Sequence, residues 1–345
     1  MSRIYVCGCG AVSPAGWDVQ SLTRALAADT PLEVQSLERP GWEKKLRVRA
    51  VPAAAVRPAF LAHPRLRRSS PITHYAACAL LESLAPLPPD PGRRVGLVVC
   101  LQSGCVQYTH RFFSEALADP ATASPLLFPE TVFAAPASHL AALLENTPLV
   151  TTLLGDPATF AQGLDLAADW LRQERVDLAV VVGAEEINWL RADALWHLEH
   201  AAIMSGGAGA VALCRRPEFS TGVELADITK PQTYCAAKSR LRAARAMRDE
   251  LQPRESELLC DGLSGGGRAN APEIAAWRDW SGARLSPKTI LGEGLMAAAA
   301  WQCAAACSLV AEGRFPAALV SLVGCNQQSI GVRFRLCDGA EIQTN

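Results

Sequence analysis

The sequence predicts an α/β protein built from two similar halves. The stretch from Leu149 to Asn188 reads as strand, turn, helix and strand, with β-branched residues in Leu149–Leu154 and helical apolar spacing in Ala158–Gln173. Its strand end and turn, Leu153-Leu154-Gly155-Asp156, are echoed by Ile290-Leu291-Gly292-Glu293, and a helix, a strand and a glycine follow both copies. Similar apolar strand ends that meet a Gly-acid turn indicate an internal duplication of a β-α-β unit.

The hydrophobic patterns predict further strands and helices on both sides of this stretch. Strands are predicted at Arg3–Cys9, Val95–Leu101, Leu149–Leu154, Val176–Val182, Ala210–Arg215, Ser256–Cys260 and Ala317–Val323, with a small-residue turn at Ser205–Gly209. Helices are predicted at Trp17–Ala28, Ile72–Leu84, Thr109–Leu117, Ala137–Leu144, Ala158–Gln173, Arg191–His200, Lys238–Glu250, Pro272–Trp280 and Met296–Glu312.

Length and composition limit the classes of function. At 345 residues the chain is long enough for two domains or one large duplicated domain, and with 50% hydrophobic residues it can bury a large core. Its formal net charge of −1 gives no general attraction to nucleic acid or to anionic membranes. The helix that begins at Met296 falls short of the roughly 20 apolar residues that cross a bilayer. We therefore expect no nucleic-acid partner and no membrane span.

The cysteines and histidines predict neither disulfides nor a metal site. The 12 cysteines include no CxxC pair and follow no signal peptide, which is typical of reduced core residues in a cytoplasmic protein. Cys303 and Cys307 are one helical turn apart, but no histidine or acid lies close by, so we interpret them as core residues. His197 and His200 have a spacing that a metal could use, but without a third ligand nearby we expect a surface pair. We predict no metal and no cofactor.

A nucleophile is missing where this fold class would place one. The turn between a β-strand and the following helix aims unpaired backbone N–H groups at any bound group. In the central stretch that turn holds Asp156, Pro157, Ala158 and Thr159. Only Thr159 could attack a substrate, and a lone threonine in a first helical turn is more often a solvated hydroxyl.

Two basic stretches stand out in the nearly neutral chain. The Pro-interrupted segment Arg39–Ser70 holds few acids, and after Arg39 it has eight further basic residues: Lys44, Lys45, Arg47, Arg49, Arg57, Arg65, Arg67 and Arg68. It is either a solvated loop or a surface for an acidic partner. On the predicted helix at Lys238–Glu250, Lys238, Arg242 and Arg245 share one face.

Three landmarks together resemble the β-ketoacyl synthases of the thiolase-like fold. They are Ile4–Ala15, with the sequence IYVCGCGAVSPA; Phe128–Leu144; and Val180–Glu185, with the sequence VVVGAE, followed by SGGAGA at Ser205–Ala210. Their order and spacing span nearly the whole chain. The resemblance implies two duplicated β-α-β halves in an α-β-α-β-α layered arrangement, which we place at residues 1–220 and 221–345.

The same resemblance implies that the family's catalytic residues are replaced. The family condenses acyl chains with one cysteine and two histidines, and these positions correspond here to Pro157, Asp261 and Glu293. Asp261 begins the run that matches the HGTGT motif, and Lys288 is retained from the K-x-x-x-GH motif that ends at Glu293. The six histidines end at His200, so the second half holds none. An ionised carboxylate cannot donate the hydrogen bonds that an imidazole gives to an oxyanion.

The resemblance therefore favours a non-catalytic subunit similar to a chain length factor, which is not active alone. Such a subunit would pair with an active ketosynthase in polyketide, aryl-polyene or fatty-acid-type biosynthesis, as a heterodimer, or with itself as a homodimer. Members of the fold dimerise through the edge strand before the nucleophile turn, which is here Leu149, Val150, Thr151, Thr152, Leu153 and Leu154. An unpaired apolar edge strand also favours a partner on physical grounds.

The carrier protein of such pathways is usually acidic, so Lys238, Arg242 and Arg245 are candidates for docking it. A merely solvated helix face is an equally open interpretation.

Two enzymatic alternatives remain at this level. In the first, the chain is an acyl-thioester-processing enzyme of the same fold with a non-standard nucleophile such as Cys105, although a lone cysteine there is more often packing. In the second, Gly262-Leu263-Ser264-Gly265-Gly266 is a serine hydrolase elbow. The required histidine would follow the serine in the chain, and none does, which weighs against this alternative.

Overall fold

A computed structural model describes residues 3–144, 146–265 and 267–337 of the chain, without the side chains of residues 237 and 238. The strands are β1 (Tyr5–Val12), β2 (Gln35–Leu37), β3 (Leu46–Arg49), β4 (Val95–Leu101), β5 (Leu149–Leu154), β6 (Leu178–Glu185), β7 (Met204–Ser205), β8 (Gly207–Cys214), β9 (Val223–Ile228), β10 (Gln232–Thr233), β11 (Leu258–Cys260), β12 (Arg284–Leu285), β13 (Ala317–Val323) and β14 (Gln328–Leu336). The helices are α1 (Val19–Ala28), α2 (Pro71–Leu84), α3 (Val106–Ala118), α4 (Ala135–Ala141), α5 (Thr159–Arg172), α6 (Trp189–Leu198), α7 (Ala237–Leu251), α8 (Ala271–Ala276), α9 (Pro287–Leu291) and α10 (Met296–Ala311).

The main sheet repeats one pattern of strand pairing in its two halves. Its order is β12-β11-β13-β14-β9-β1-β8-β6-β4-β5, with β10 added beside β14. From the β5 end inwards, two parallel pairings are followed by two antiparallel pairings, and the same sequence of pairings runs inwards from β12. The halves meet where β1 pairs with β9 at Val6 and Val223. This repetition is the internal duplication that the sequence predicts.

Side-chain alternation along the strands produces five layers. Leu97 and Val99 of β4 face the cluster that contains α2 and α4, whereas Val98 and Cys100 face the cluster that contains α5 and α10. In the second half, β13 directs Val320 towards α10 and Leu319 towards α7 and α8. The arrangement is therefore α-β-α-β-α, which confirms the predicted thiolase-like fold. The division at residue 220 stays a prediction.

The central helix α10 is buried on all sides because both halves pack against it. It contacts β1, β6 and β8 of the first half and β13 and β14 of the second. Alanine, cysteine and tryptophan fill its surface, and the Trp301 ring nitrogen donates to the carbonyl oxygens of Val12 and Ala208, both at 2.9 Å. Cys303 and Cys307 are buried in this core. Among the described residues, no helix is both long and apolar enough to cross a membrane.

Three local predictions differ from the structure. Ile290 and Leu291, predicted as a strand end, lie in α9, and the strand that occupies this place in the second half is the two-residue β12. The predicted turn at 205–209 is largely strand, since small residues let β8 run flat against α10. The basic segment after Arg39 contributes β3, which pairs with β2 and β7 in a small second sheet.

Strand β5 has the predicted bounds and lies at the open edge of the main sheet. It pairs with β4 in parallel on one side, from Leu149 opposite Gly96 to Leu154 opposite Leu101. No described strand pairs with its other side. Val150 and Leu154 are 41% and 51% exposed. The sequence expectation of an apolar edge strand is therefore met.

Candidate functional site

One cavity brings together most of the positions that the resemblance identified. It measures about 330 Å³, and its walls include Pro157, Lys288, Glu293, Val323 and Cys325. Pro157 comes from the turn between β5 and α5, whereas Lys288 and Glu293 come from α9 and the turn that follows it. The two duplicated units thus meet across this cavity. The sequence predicted these residues separately, and the fold places them in one site.

Pro157 is buried in a turn that a neighbouring carboxylate holds closed. The side chain of Asp156 is 1% exposed and accepts hydrogen bonds from the backbone N–H groups of Gln327 at 2.9 Å and of Asn326 and Gln328 at 3.4 Å. It also accepts from the N–H of Ala158 at 3.2 Å. Burial raises the pKa of Asp156, and these four hydrogen bonds oppose that shift. The turn is therefore attached to the loop that follows β13.

Glu293, the second position that the resemblance identified, has a structural role. One carboxylate oxygen accepts from the Lys288 ammonium group at 2.9 Å, and the other accepts from the backbone N–H of Leu295 at 2.8 Å. Leu295 has a φ of 51°, a conformation that L-residues rarely adopt, directly before α10 begins. Lys288 is buried, with 8% of its side chain exposed. Glu293 therefore both neutralises a buried cation and stabilises a strained turn.

The third position, Asp261, lies behind the cavity wall and is fully buried. It accepts hydrogen bonds from the Ser286 hydroxyl at 2.7 Å and the Leu263 N–H at 3.1 Å, and it forms an ion pair with Arg284 at 3.2 Å. Burial raises its pKa, and these partners act in the opposite direction. Asp261 makes a network with the protein and presents no free hydrogen-bond donor to a substrate.

Sequence reasoning missed Glu273, a fourth buried group at this site. It lines the cavity and accepts from the Ser321 hydroxyl at 2.5 Å and from the Gly262 N–H at 3.1 Å. Burial, together with the nearby charge of Asp261, raises its pKa to about 7. An isolated acid in the otherwise apolar sequence Ala-Pro-Glu-Ile-Ala-Ala was its only signal.

Two other predicted nucleophiles have different environments. Cys105 is 1% exposed at the start of α3, where burial raises the pKa of its thiol well above the usual range. Ser264 lines the cavity and donates a hydrogen bond to Asn270 at 3.2 Å, but the described lining residues include no histidine. Gly266 of the predicted elbow lies outside the described residues. The described lining residues therefore do not supply the histidine of a serine hydrolase triad.

Cys325 is the thiol that lines the cavity. It lies in the loop after β13, where the Gln102 amide nitrogen is 3.6 Å from its sulfur. Although the residue is exposed, the desolvation of its sulfur by the surrounding protein raises the thiol pKa, and the charge of Asp156 adds to this shift. The thiol is accessible but is not activated.

The basic residues of α7, which include the predicted docking residues Arg242 and Arg245, divide into two groups. Arg242 and Arg245 are exposed, and Leu241 packs against the apolar cluster beneath the helix. Arg240 instead donates to the Val323 carbonyl at 3.2 Å, and Arg248 forms an ion pair with Asp279 at 2.5 Å. The side chain of Lys238 lies outside the described residues.

Within the described part of the chain, no group of three potential metal ligands occurs, and His197 lies 3.6 Å from Asp193.

Comparison with solved structures defines the class of protein that has this fold. A chain of the ishigamide ketosynthase/chain length factor superposes with a TM-score of 0.82 at 17% identity, covering 97% of this chain and 99% of its own. A β-ketoacyl synthase from Burkholderia phymatum superposes with a TM-score of 0.80 at 15% identity, covering 98% of this chain and 100% of its own. A chain from the structure of a type II PKS acyl-carrier protein in complex with its ketosynthase superposes with a TM-score of 0.79 at 15% identity, covering 97% of this chain and 99% of its own.

These similarities show that the chain has the fold of the ketosynthases and chain length factors over nearly its whole length, as the sequence landmarks predict. No protein-family model matches the sequence, and no curated protein is similar to it at the level of sequence.

Proposed function

We propose that this chain is a non-catalytic, chain-length-factor-type subunit that pairs with an active β-ketoacyl synthase in polyketide, aryl-polyene or fatty-acid-type biosynthesis. One observation carries the proposal: the cavity where the fold would hold a cysteine and two histidines instead holds Pro157 and the Lys288–Glu293 ion pair, with Asp261 behind it. None of these groups is both a nucleophile and free to react. A carboxylate that already accepts a buried lysine cannot donate to a developing oxyanion.

The surface around β5 supports a partner subunit. Edge strands that present unpaired backbone groups and apolar side chains pair readily with other chains. Helix α4 contacts both β5 and the turn at 128–131, and that turn contacts α3. Along this connected region, large apolar side chains are exposed: Phe113, Leu117, Leu126, Phe128, Val132, Phe133, Val150 and Leu154. Contiguous exposed apolar residues of this extent favour burial in a complex.

The partner's identity determines what the subunit does. With an active ketosynthase, the chain would complete a heterodimer and help to shape the space available to a growing acyl chain. With a second copy of itself, it would form an inactive homodimer. Arg242 and Arg245 would add a basic surface for an acidic acyl carrier protein, because both guanidinium groups are exposed on α7.

The direct test measures condensation with the protein alone and with a partner. We expect no product from acyl and malonyl thioesters with the purified chain, and a stable complex when it is co-expressed with its partner ketosynthase. A Pro157→Cys variant alone should also stay inactive, because Asp261 and Glu293 still lack imidazole hydrogen bonds. Turnover by the chain alone, after contaminating synthases are removed, would contradict the proposal.

A second candidate is an acyl-thioester-processing enzyme that uses a different thiol, and Cys325 favours it more than Cys105 does. Cys325 lines the cavity, whereas Cys105 is buried. Its raised pKa is unfavourable for nucleophilic attack at neutral pH. Incubation with an acyl thioester followed by mass spectrometry tests this alternative, which predicts added mass at Cys325 and none in Cys325→Ser.

A further inference from the structure

A second cavity, separate from the first, concentrates positive charge between the small sheet and α6. We call it the Arg39 cavity; it measures about 160 Å³ and is lined by Arg39, Lys44, Lys45, Arg47, Trp196 and His200, among others. The basic residues come from the segment that leads into and along β3, and Trp196 comes from α6. This is the basic stretch whose purpose the sequence left open. The cavity around Pro157 does not account for it.

Arg39 is the buried cation of this cavity, with only 7% of the residue exposed. One terminal guanidinium nitrogen contacts Asp193 at 2.7 Å and lies 3.4 Å from His197. Its Nε–H has no hydrogen-bond partner among the described residues. This nitrogen is closed off from solvent, whereas other parts of Arg39 line the cavity. Arg39 therefore contributes a buried positive charge to the cavity wall.

Aromatic rings fix the orientation of these cations. The Arg39 guanidinium carbon lies 4.0 Å from the ring centroid of Trp42 and 5.8 Å from that of Trp196. The Lys44 ammonium nitrogen lies 4.9 Å from the Trp196 centroid, and the His200 ring contacts the same indole at 4.7 Å between centroids. Rings that hold charged groups in place reduce the entropy lost when a ligand binds.

The cavity carries more positive charge than its acids neutralise. Asp193 pairs with Arg39, and Glu38 pairs with Lys45 at 2.5 Å. No ion pair of Lys44 or Arg47 occurs among the described residues, which leaves an excess of two positive charges around a space several times the roughly 30 Å³ of one water molecule. A guanidinium group beside flexible ammonium groups is the donor set that binds phosphoryl groups.

We propose that the Arg39 cavity binds the phosphoryl group of a small phosphorylated molecule. The phosphoryl oxygens accept from Lys44 and Arg47 at the exposed side, and the buried Arg39 guanidinium group adds its positive charge from the cavity wall. A dianion matches the excess of two positive charges. Ala202 lines both this cavity and the one around Pro157, so the two sites are adjacent but distinct. The proposal does not depend on the proposed pairing with a ketosynthase.

Titration calorimetry at constant ionic strength tests the proposal with three probes. Inorganic phosphate and adenosine 5′-monophosphate distinguish a free anion from an esterified phosphoryl group, and poly-glutamate represents an acidic protein. We expect binding of at least one phosphate probe with a sub-millimolar Kd, and competition between the two if both bind. Binding of neither phosphate probe, or binding of poly-glutamate that phosphate does not displace, would overturn the proposal.

Two variants separate the site from general charge effects. Lys44→Gln/Arg47→Gln removes two exposed cations and should lower the affinity by about tenfold or more while the fold is kept. Arg24→Gln/Lys230→Gln removes two exposed cations elsewhere and should leave the affinity unchanged. Arg39→Met should abolish binding, with circular dichroism as the check that this variant folds. Equal affinity of the wild type and Lys44→Gln/Arg47→Gln would refute the site, whatever Arg39→Met does.

Discussion

Lys288 and Glu293 depend on each other as a partly buried pair at the site. Replacing Lys288 by methionine leaves the Glu293 carboxylate in the cavity wall without its cation. Because breaking such a pair costs about 3–5 kcal/mol, Lys288→Met should lower the free energy of unfolding by an amount near this range in urea denaturation. Lys288→Met/Glu293→Gln should recover part of the loss, since no unpaired charge then remains. A single variant as stable as the wild type would show that the pair contributes no net stability.

Glu273 should make the protein less stable as pH rises, whereas an acid whose pKa is lowered by a salt bridge makes a protein more stable as pH rises. Its folded-state pKa of about 7 lies above the ordinary value of 4.5, so the folded protein binds more protons than the unfolded chain between these values. The free energy of unfolding should therefore fall as pH rises from about 4.5 to 7, by at most about 1.4 kcal/mol per pH unit for this group. Glu273→Gln should flatten that slope in denaturation curves taken at several pH values. The exposed-acid control Glu312→Gln should leave it unchanged, and an unaltered slope in Glu273→Gln would contradict the assignment.

At the scale of residues, the sequence predicted Pro157, Asp261 and Glu293 as replaced catalytic positions from motif spacing, and that assignment stays a prediction. Glu273 could not be found, since its importance arises from Ser321 and Gly262, which are distant in sequence or give no local pattern. The hydrogen bonds between Asp156 and the loop after β13 could not be predicted from the sequence either, because the partners lie some 170 residues further along the chain.

The edge strand β5 gives a prediction at the scale of one element. The Gly155 N–H donates to the Leu101 carbonyl of β4 at 3.2 Å. Because backbone N–H groups alternate in direction along a strand, the N–H of Thr151 points towards β4 and the N–H of Thr152 points away from it. Thr152→Pro should weaken the dimer without breaking the β4–β5 ladder, whereas Thr151→Pro should also destabilise the fold. Analytical ultracentrifugation and thermal unfolding measure the two effects. A wild-type chain that is monomeric at micromolar concentration, alone and with a candidate ketosynthase, would contradict the interface.

Helix α7 allows a charge-reversal test of carrier docking. Arg242→Glu/Arg245→Glu should weaken binding of an acidic carrier protein and flatten its dependence on salt, because the exposed guanidinium groups no longer attract it. Asp249→Arg/Glu250→Arg, at the end of the same helix, serves as a control that changes charge with the opposite sign and should not weaken binding. Unaltered carrier affinity in the first variant would leave α7 as a solvated surface.

Elements were predictable where their pattern is local. The bounds of β4 and β5 were predicted correctly because continuous apolar runs end at glycine or polar residues. Ile290 and Leu291 were predicted wrongly, since four residues are too few to distinguish a strand end from one helical turn. Strand β3 was missed because its charged residues conceal the alternation, and its pairing partners β2 and β7 are distant or short.

The whole molecule should unfold as one unit despite its two halves. Helix α10 belongs to the second half but packs on β1, β6 and β8 of the first, and β9 pairs with β1. Expressed separately, residues 1–220 and 221–345 should each expose this core and fail to fold, whereas co-expression should recover a complex. Circular dichroism and size-exclusion chromatography test this. Cooperative unfolding of either fragment alone would show that the halves are independent domains.

The hydrogen bonds that attach Asp156 to the loop after β13 also limit which substitutions this protein tolerates. A methyl group on Gly324 would lie 1.9 Å from an Asp156 carboxylate oxygen, so each of these residues restricts the substitutions that the other tolerates. Any new side chain at the neighbouring position 157 would have to leave this attachment intact, or both of its ends would have to change together. Asp156 and Gly324 are thus mutually constrained, so a substitution of one requires a compensating change in the other.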